Sequence, residues 1–235
     1  MQFLPIFLLA PSCKILYTVN TMGFFITFEG IEGCGKSTQV RLLTKALEET
    51  GIHCIVTREP GGTSIGSKIR DILLNPDHKG MAAEAELLLY AADRAQHVRE
   101  GIKPSIDNGK VVVCDRFADA TLAYQGFGRG LNMATIHDLN RIASLGIRPD
   151  LTLLLDCPVE TGIGRALERN SNNSHIRDDR FEREALAFHR KVREGYLTLA
   201  QAEPERIKIV DARNDVESVR KEIWGIVKKA MSNDF

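Results

Sequence analysis

Gly30-Ile31-Glu32-Gly33-Cys34-Gly35-Lys36-Ser37 follows the short β-rich run 24–28 and opens the helical segment 36–50. Strand, glycine-rich turn, Gly-Lys-Ser and helix, in that order, give the pattern G-x-x-x-x-G-K-[ST] the context that makes it informative. The glycines accept positive φ and bring backbone N–H groups close enough to surround phosphate oxygens. The helix that follows adds partial positive charge at its N-terminus. Lys36 would reach β- and γ-phosphates, and the Ser37 hydroxyl would bind Mg²⁺. The competing reading, a tight glycine turn without a ligand, leaves both Lys36 and Ser37 unexplained. The stretch from Gly30 through Ser37, with Thr38, is therefore the candidate nucleotide site.

Outward from this loop, apolar runs alternate with helix-period segments. Runs at 54–57, 111–114, 151–155 and 207–210 read as further strands. Segments 64–74, 82–106, 118–124, 133–145, 159–169, 181–202 and 216–231 read as helices, with a glycine-rich loop at 126–130. Short apolar strands separated by helices imply an α/β fold, a five-stranded parallel sheet with helices on both faces. The polar stretch 170–178 lacks apolar periodicity apart from Ile176 and is the candidate mobile segment. No repeat or linker divides 22–235, which reads as a single domain. Residues 1–21 read as an N-terminal extension outside the fold. Their apolar part is too short for a bilayer, which needs about 20 apolar residues. Lys14 follows that part instead of preceding it, unlike a secretory signal.

Composition removes other classes. The 235 residues carry 31 Lys+Arg and 31 Asp+Glu, so there is no global pull toward nucleic acid or an anionic membrane. Hydrophobic residues at 43% and charged residues at 26% are globular values. The cysteines number five, an odd count without any C-x-x-C, which argues against a disulfide framework or zinc site and for a reducing, cytoplasmic location.

A phosphate loop does not name a reaction. A guanine-binding N-K-x-D is missing from the sequence, and Asp77-x-x-Gly80 does not leave a strand. Two arginines do stand at strand exits: Arg58 in Thr57-Arg58-Glu59-Pro60-Gly61-Gly62-Thr63, and Arg116 after Val111-Val112-Val113-Cys114-Asp115. Ligands of open α/β sheets bind at that edge. An Asp there can orient either a metal shell or an acceptor, and an Arg can clamp phosphate bidentately. Each Arg alone is as well read as a surface ion pair. Two of them beside a phosphate loop point to a phosphate-bearing acceptor.

With these residues in view, the chain from Met22 onward resembles the thymidylate kinases. The resemblance rests on FEGIEGCGKST (28–38), TREPGGT (57–63), YAADRAQH (90–97), DRF (115–117), AYQG (123–126) and RPDLTLLLD (148–156). It implies a P-loop nucleoside monophosphate kinase fold with a lid at about 165–180, a homodimer, and phosphorylation of dTMP to dTDP with ATP and Mg²⁺ for dTTP synthesis. The resemblance places Glu32 near the acceptor and Tyr90 where an aromatic, usually Phe, stacks on thymine. It implies that Arg94 donates to a base carbonyl, Thr121 approaches the base, Tyr124 lies under the deoxyribose, and Gln125 is among the residues that bind dTMP. Arg58 and Arg116 would hold the dTMP phosphate, and Ser37 and Asp115 the metal. Gly33 leaves no cation in the variable part of the loop, which resembles the bacterial arrangement with basic residues supplied by the lid. Arg165, Arg169 and Arg177 are the candidates, with Arg180 close behind. Lys36, Glu32, Asp115, Arg116, Arg165 and Arg169 form the implied catalytic set. A different deoxynucleotide or deoxynucleoside kinase is the alternative, although an acceptor with only a 5′-hydroxyl would not need Arg58 and Arg116 together.

Overall fold

The computed structural model describes residues 23–171, 180–181 and 184–233. The expected extension 1–21, Arg177 and half of the expected lid (172–179), with it most of the candidate mobile segment 170–178, lie outside the described residues.

Five strands build one sheet: β1 (Phe24–Glu29), β2 (Cys54–Arg58), β3 (Val111–Asp115), β4 (Leu151–Asp156) and β5 (Ile207–Asp211). Their order is β2-β3-β1-β4-β5 and all pairings are parallel. Central β1 is buried along its whole length, because parallel strands with helices on both faces have no solvent side. Alternate residues face opposite layers. Ile26, Phe28 and Val113 join α1 (Lys36–Glu49) and α9 (Val216–Asn233) in the larger core. Phe25, Val112 and Cys114 pack on the other face with Val98, Ile102 and Phe117. Phe25 and Phe117 meet edge to face at 5.0 Å. The edge strand β2 leaves Ile55 and Val56 exposed.

Three expected elements differ in detail. The segment 82–106 is not one α-helix. α3 (Ala83–His97) passes through a π-helical turn, Val98–Ile102, into α4 (Lys103–Asp107). Pro104 does not stop it, because it falls in the first turn of α4, where a missing N–H costs little. The glycine-rich stretch 126–130 is not simply a loop. α5 (Ala118–Thr121) continues as a π-helical segment, Leu122–Gly128. A β-carbon on Gly126 would lie 2.4 Å from the Met133 sulfur, and one on Gly128 2.7 Å from the Phe188 ring. These glycines serve close packing. Helix α8 (Leu186–Ala202) begins after Phe181, whose ring instead packs edge to face on Tyr124 at 5.5 Å. The remaining helices are α2 (Ser64–Leu74), α6 (Met133–Ala143) and α7 (Val159–Ser171). Among the described residues Cys34, Cys54, Cys114 and Cys157 are free thiols. No described helix is long and apolar enough to cross a membrane.

Candidate active site

The loop between β1 and α1 turns on Gly30, Gly33 and Gly35, all at positive φ. Lys36 is buried and curls back over the loop, its Nζ donating to the carbonyls of Gly30 (3.0 Å) and Ile31 (2.8 Å). Gly33 has φ 68° and packs on α7; a β-carbon there would lie 1.9 Å from the Gly162 carbonyl oxygen. No side chain, and so no arginine, fits at that loop position. From Gly162, Arg165 and Arg169 follow at helical spacings of three and four, on the face that meets the loop. Both line the same cleft as the loop, and the Arg165 guanidinium reaches the Ala212 carbonyl at 3.4 Å.

At the exit of β3, Asp115 Oδ2 accepts a hydrogen bond from the Ser37 hydroxyl at 3.1 Å. The other oxygen, Oδ1, is buried without a hydrogen-bond partner among the described residues. A hydroxyl beside a carboxylate with an unsatisfied oxygen suits a hard divalent cation such as Mg²⁺. Arg116 follows at φ 69°, a strained conformation for a non-glycine residue. Its guanidinium donates to the Gly30 carbonyl (2.8 Å), Tyr196 Oη (3.0 Å), Glu32 Oε1 (3.0 Å) and Tyr124 Oη (3.0 Å). Tyr124 in turn donates to Glu32 Oε1 at 2.5 Å. Burial alone would push the Glu32 carboxyl up; His189, then Arg116 and Lys36, outweigh it and hold the group well below the usual carboxylate range. Glu29 behaves oppositely. Burial, reinforced by Asp119, pushes it up to about 7 against Arg116, the Tyr196 hydroxyl and the Phe117 N–H.

The wall opposite the loop comes from α3 and from the α5 segment. Arg94 is almost wholly buried. It donates to Glu59 Oε2 (2.8 Å), Asn140 Oδ1 (2.6 Å), the Phe117 carbonyl (3.1 Å) and Thr121 Oγ1 (3.0 Å). Glu59 also meets His97 Nδ1 at 3.0 Å, and His97 Nε2 meets Thr57 Oγ1 at 2.7 Å. This network clamps the segment after β2, including the cis Glu59–Pro60 peptide, onto α3. Arg58 is exposed at its start, on the rim of the cleft. Half-buried Tyr90 stands one helical turn before Arg94 and meets the Phe181 ring at 6.4 Å. Gln125 donates to Glu86 at 2.8 Å, and the same carboxylate accepts from Arg129 at 3.2 Å and from Arg180 at 2.5 Å.

The cleft so formed has a volume of about 990 Å³. Of the described residues expected to bind or react, all line it except Gly30 and Ile31, whose carbonyls hold Lys36 beneath it, and Arg180, which is buried with its guanidinium on the Leu73 carbonyl and Glu86 instead of facing the cleft. Sequence reasoning missed Glu59, which lines the cleft and holds Arg94, and Glu29, Asn140, His189 and Tyr196, which orient the lining residues from behind. A signal existed for two of them: His189 and Tyr196 are seven apart on α8, the spacing of one helix face.

The sheet order and the loop after β1, with Arg116 at the next strand exit, define a P-loop kinase of the nucleoside monophosphate type. Comparison narrows the class. A sequence model of the family described as thymidylate kinase matches residues 28–223. A thymidylate kinase of Geotalea uraniireducens is 55% identical over 206 residues, covering 88% of this chain and 97% of that protein. One from Syntrophotalea carbinolica is 52% identical over 211 residues, covering 90% and 98%. The crystal structure of thymidylate kinase from Ehrlichia chaffeensis matches with a TM-score of 0.70 at 33% identity, covering 88% of this chain and 99% of that one. The chain belongs to the thymidylate kinase family.

Proposed function

We propose that the protein transfers the γ-phosphoryl group of ATP to the phosphate of dTMP, giving dTDP and ADP and feeding dTTP synthesis. The observation that carries this is one cleft lined by the phosphate loop together with Arg58, Arg116, Tyr90 and Arg94. The loop N–H groups and Lys36 bind the donor phosphates. The ammonium, now satisfied by two carbonyls, exchanges them for phosphate oxygens. Ser37 and Asp115 would hold Mg²⁺, which when bound neutralises phosphate charge. Arg116 presents a guanidinium fixed by four acceptors, and Arg58 adds an exposed one, so that two like-charged nucleotides can be brought in line. Tyr90 stacks on the thymine, Arg94 and Gln125 with Thr121 face the base edge, and Tyr124 supports the sugar. Arg165 and Arg169 supply positive charge to the transferring group from α7, which Gly33 and Gly162 bring against the loop. Phosphoryl transfer leaves little covalent work for the protein, so positioning and electrostatics carry the rate.

The active form is a homodimer in this reading. Ile65 and Ile72 on α2, Leu88 on α3 and Ile142 on α6 are exposed apolar residues on helices that pack side by side, α2 on α3 and α3 on α6. A second copy would cover them, and light scattering on the eluted protein tests this directly. The enzyme works in the cytoplasm in this reading. The function itself is tested by incubation with ATP, Mg²⁺ and a panel of nucleosides and monophosphates. Conversion of dTMP to dTDP is expected, and Lys36→Met serves as the inactive control. Preferential conversion of a nucleoside, or of a different monophosphate, would overturn it.

A further inference from the structure

We propose that His189 is a positioning residue for the acceptor end of the site: through Nδ1 it holds Oε2 of Glu32, and through Glu32 it holds the Arg116 guanidinium. His189 lies on α8 and is fully buried. Its Nδ1 is 3.3 Å from Glu32 Oε2, within ion-pair reach though not aligned as a hydrogen bond. Such contacts in active sites commonly tighten when substrate binds. Neither Glu32 Oε2 nor the other ring nitrogen, Nε2, has a hydrogen-bond partner among the described residues. The ring proton therefore belongs on Nδ1, where it meets a carboxylate oxygen that has no other donor.

The consequence runs through Glu32. Its Oε1 receives both Arg116 Nη2 and the Tyr124 hydroxyl. A carboxylate held at only one oxygen can rotate about its last bond and carry the Arg116 contact with it. His189 closes the second oxygen and removes that freedom. The same helix face holds the site at two more points: Tyr196 accepts from Arg116 and donates to Glu29 at 2.7 Å, and Arg193 pairs with Asp156 at the exit of β4. Helix α8 is thus a brace behind the loop and two strand exits, and His189 is its contact to the loop. His189 is also the foremost of the groups that keep the buried Glu32 carboxylate ionised.

The inference rests on the dTMP kinase reading, and its test separates the two. His189→Asn keeps an amide N–H where Nδ1 stands, His189→Gln moves it to the Nε2 position, and His189→Leu removes it. The KM for dTMP is expected to rise about tenfold or more in His189→Leu, the size expected for one lost hydrogen bond to a charged group. The KM for ATP should stay within about twofold, as it should if only the acceptor end is disturbed. His189→Asn should recover most of the dTMP affinity and His189→Gln should not. Wild-type dTMP affinity in His189→Leu, or Asn and Gln variants equally impaired, would overturn the assignment. If His189→Leu does not fold, the Asn and Gln pair decides alone. Nitrogen-15 spectra of the histidine side chains give a readout that needs no activity. His189 should carry its proton on Nδ1, and Glu32→Gln should shift its resonances. A neutral ring protonated on Nε2 overturns the inference even if the kinase reading fails.

Discussion

Gly33 of the phosphate loop and Gly162 of α7 touch backbone to backbone, so closely that a β-carbon on either would strike the other's segment: Gly33 against the Gly162 carbonyl at 1.9 Å, Gly162 against the Glu32 carbonyl at 2.6 Å. Two glycines here let a helix sit directly on the loop. The arrangement explains at once why the variable part of the loop carries no cation besides Lys36 and how α7 can provide one.

Gly33→Ala tests the contact. The left-handed φ alone costs about 1–2 kcal/mol for a residue with a β-carbon, and the clash adds to it. The variant should fold with a lower Tm and lose more in kcat than in the KM for ATP, because α7 is pushed from the loop. A kcat near wild type would mean that the packing is unrelated to catalysis.

Arg165 and Arg169 should act in the transition state. Single Ala variants are expected to lower kcat more than they raise the KM of dTMP. A donated Arg is worth about 10³-fold or more in phosphoryl transfer, with less lost singly where two share the role. The decisive measurement is kcat of the double Ala variant and of the triple variant with Arg177→Ala. A triple variant that keeps most of its kcat would return these arginines to ordinary surface charge.

Arg94 has a structural task besides base recognition. Its pair with Glu59 is almost completely buried on both sides. Removing Arg94 leaves the buried Glu59 carboxylate with His97 Nδ1 alone, and breaking a buried pair costs about 3–5 kcal/mol. Arg94→Ala should therefore unfold at markedly lower denaturant as well as bind dTMP poorly. Arg94→Ala combined with Glu59→Gln should recover part of the stability and none of the dTMP affinity. If the single variant is as stable as wild type, Arg94 is a recognition residue alone.

Glu29 predicts a pH signature. Its carboxyl is pushed up to about 7 in the fold, chiefly by burial, from an ordinary 4.5. A raised carboxyl favours the folded state fully below about 4.5, and the contribution is lost as pH rises through about 7. The total is about 3 kcal/mol at 1.36 kcal/mol per pH unit. Glu29→Gln, neutral throughout, should gain stability relative to wild type as pH goes from 5 to 8.5, by Tm at each pH. Parallel curves for the two proteins would show that Glu29 does not titrate in this window.

The β-strand runs, their alternation with helices and the phosphate loop are local patterns, and local patterns are legible along a chain. Gly30 to Ser37 needs only its neighbours to be read, because a loop that wraps phosphate with backbone must have glycines at set spacings. Arg58 and Arg116 could be placed at one sheet edge because parallel strands all end on the same side. The fold, the loop residues and the two strand-exit arginines were determined in this way, whereas Tyr90, Arg94, Thr121, Tyr124 and Gln125 were reached only through the resemblance to a family. What the sequence could not determine was which buried polar groups meet. Glu32 contacts His189 across 157 positions and Arg94 contacts Asn140 across 46, so no spacing announces either pair. The π-helical turns and the packing glycines 126, 128 and 162 were likewise hidden, because their reason is a side chain or carbonyl from another element. Only the tertiary structure decides these, since desolvation makes a buried carboxylate depend on whichever donor the fold brings within about 3 Å.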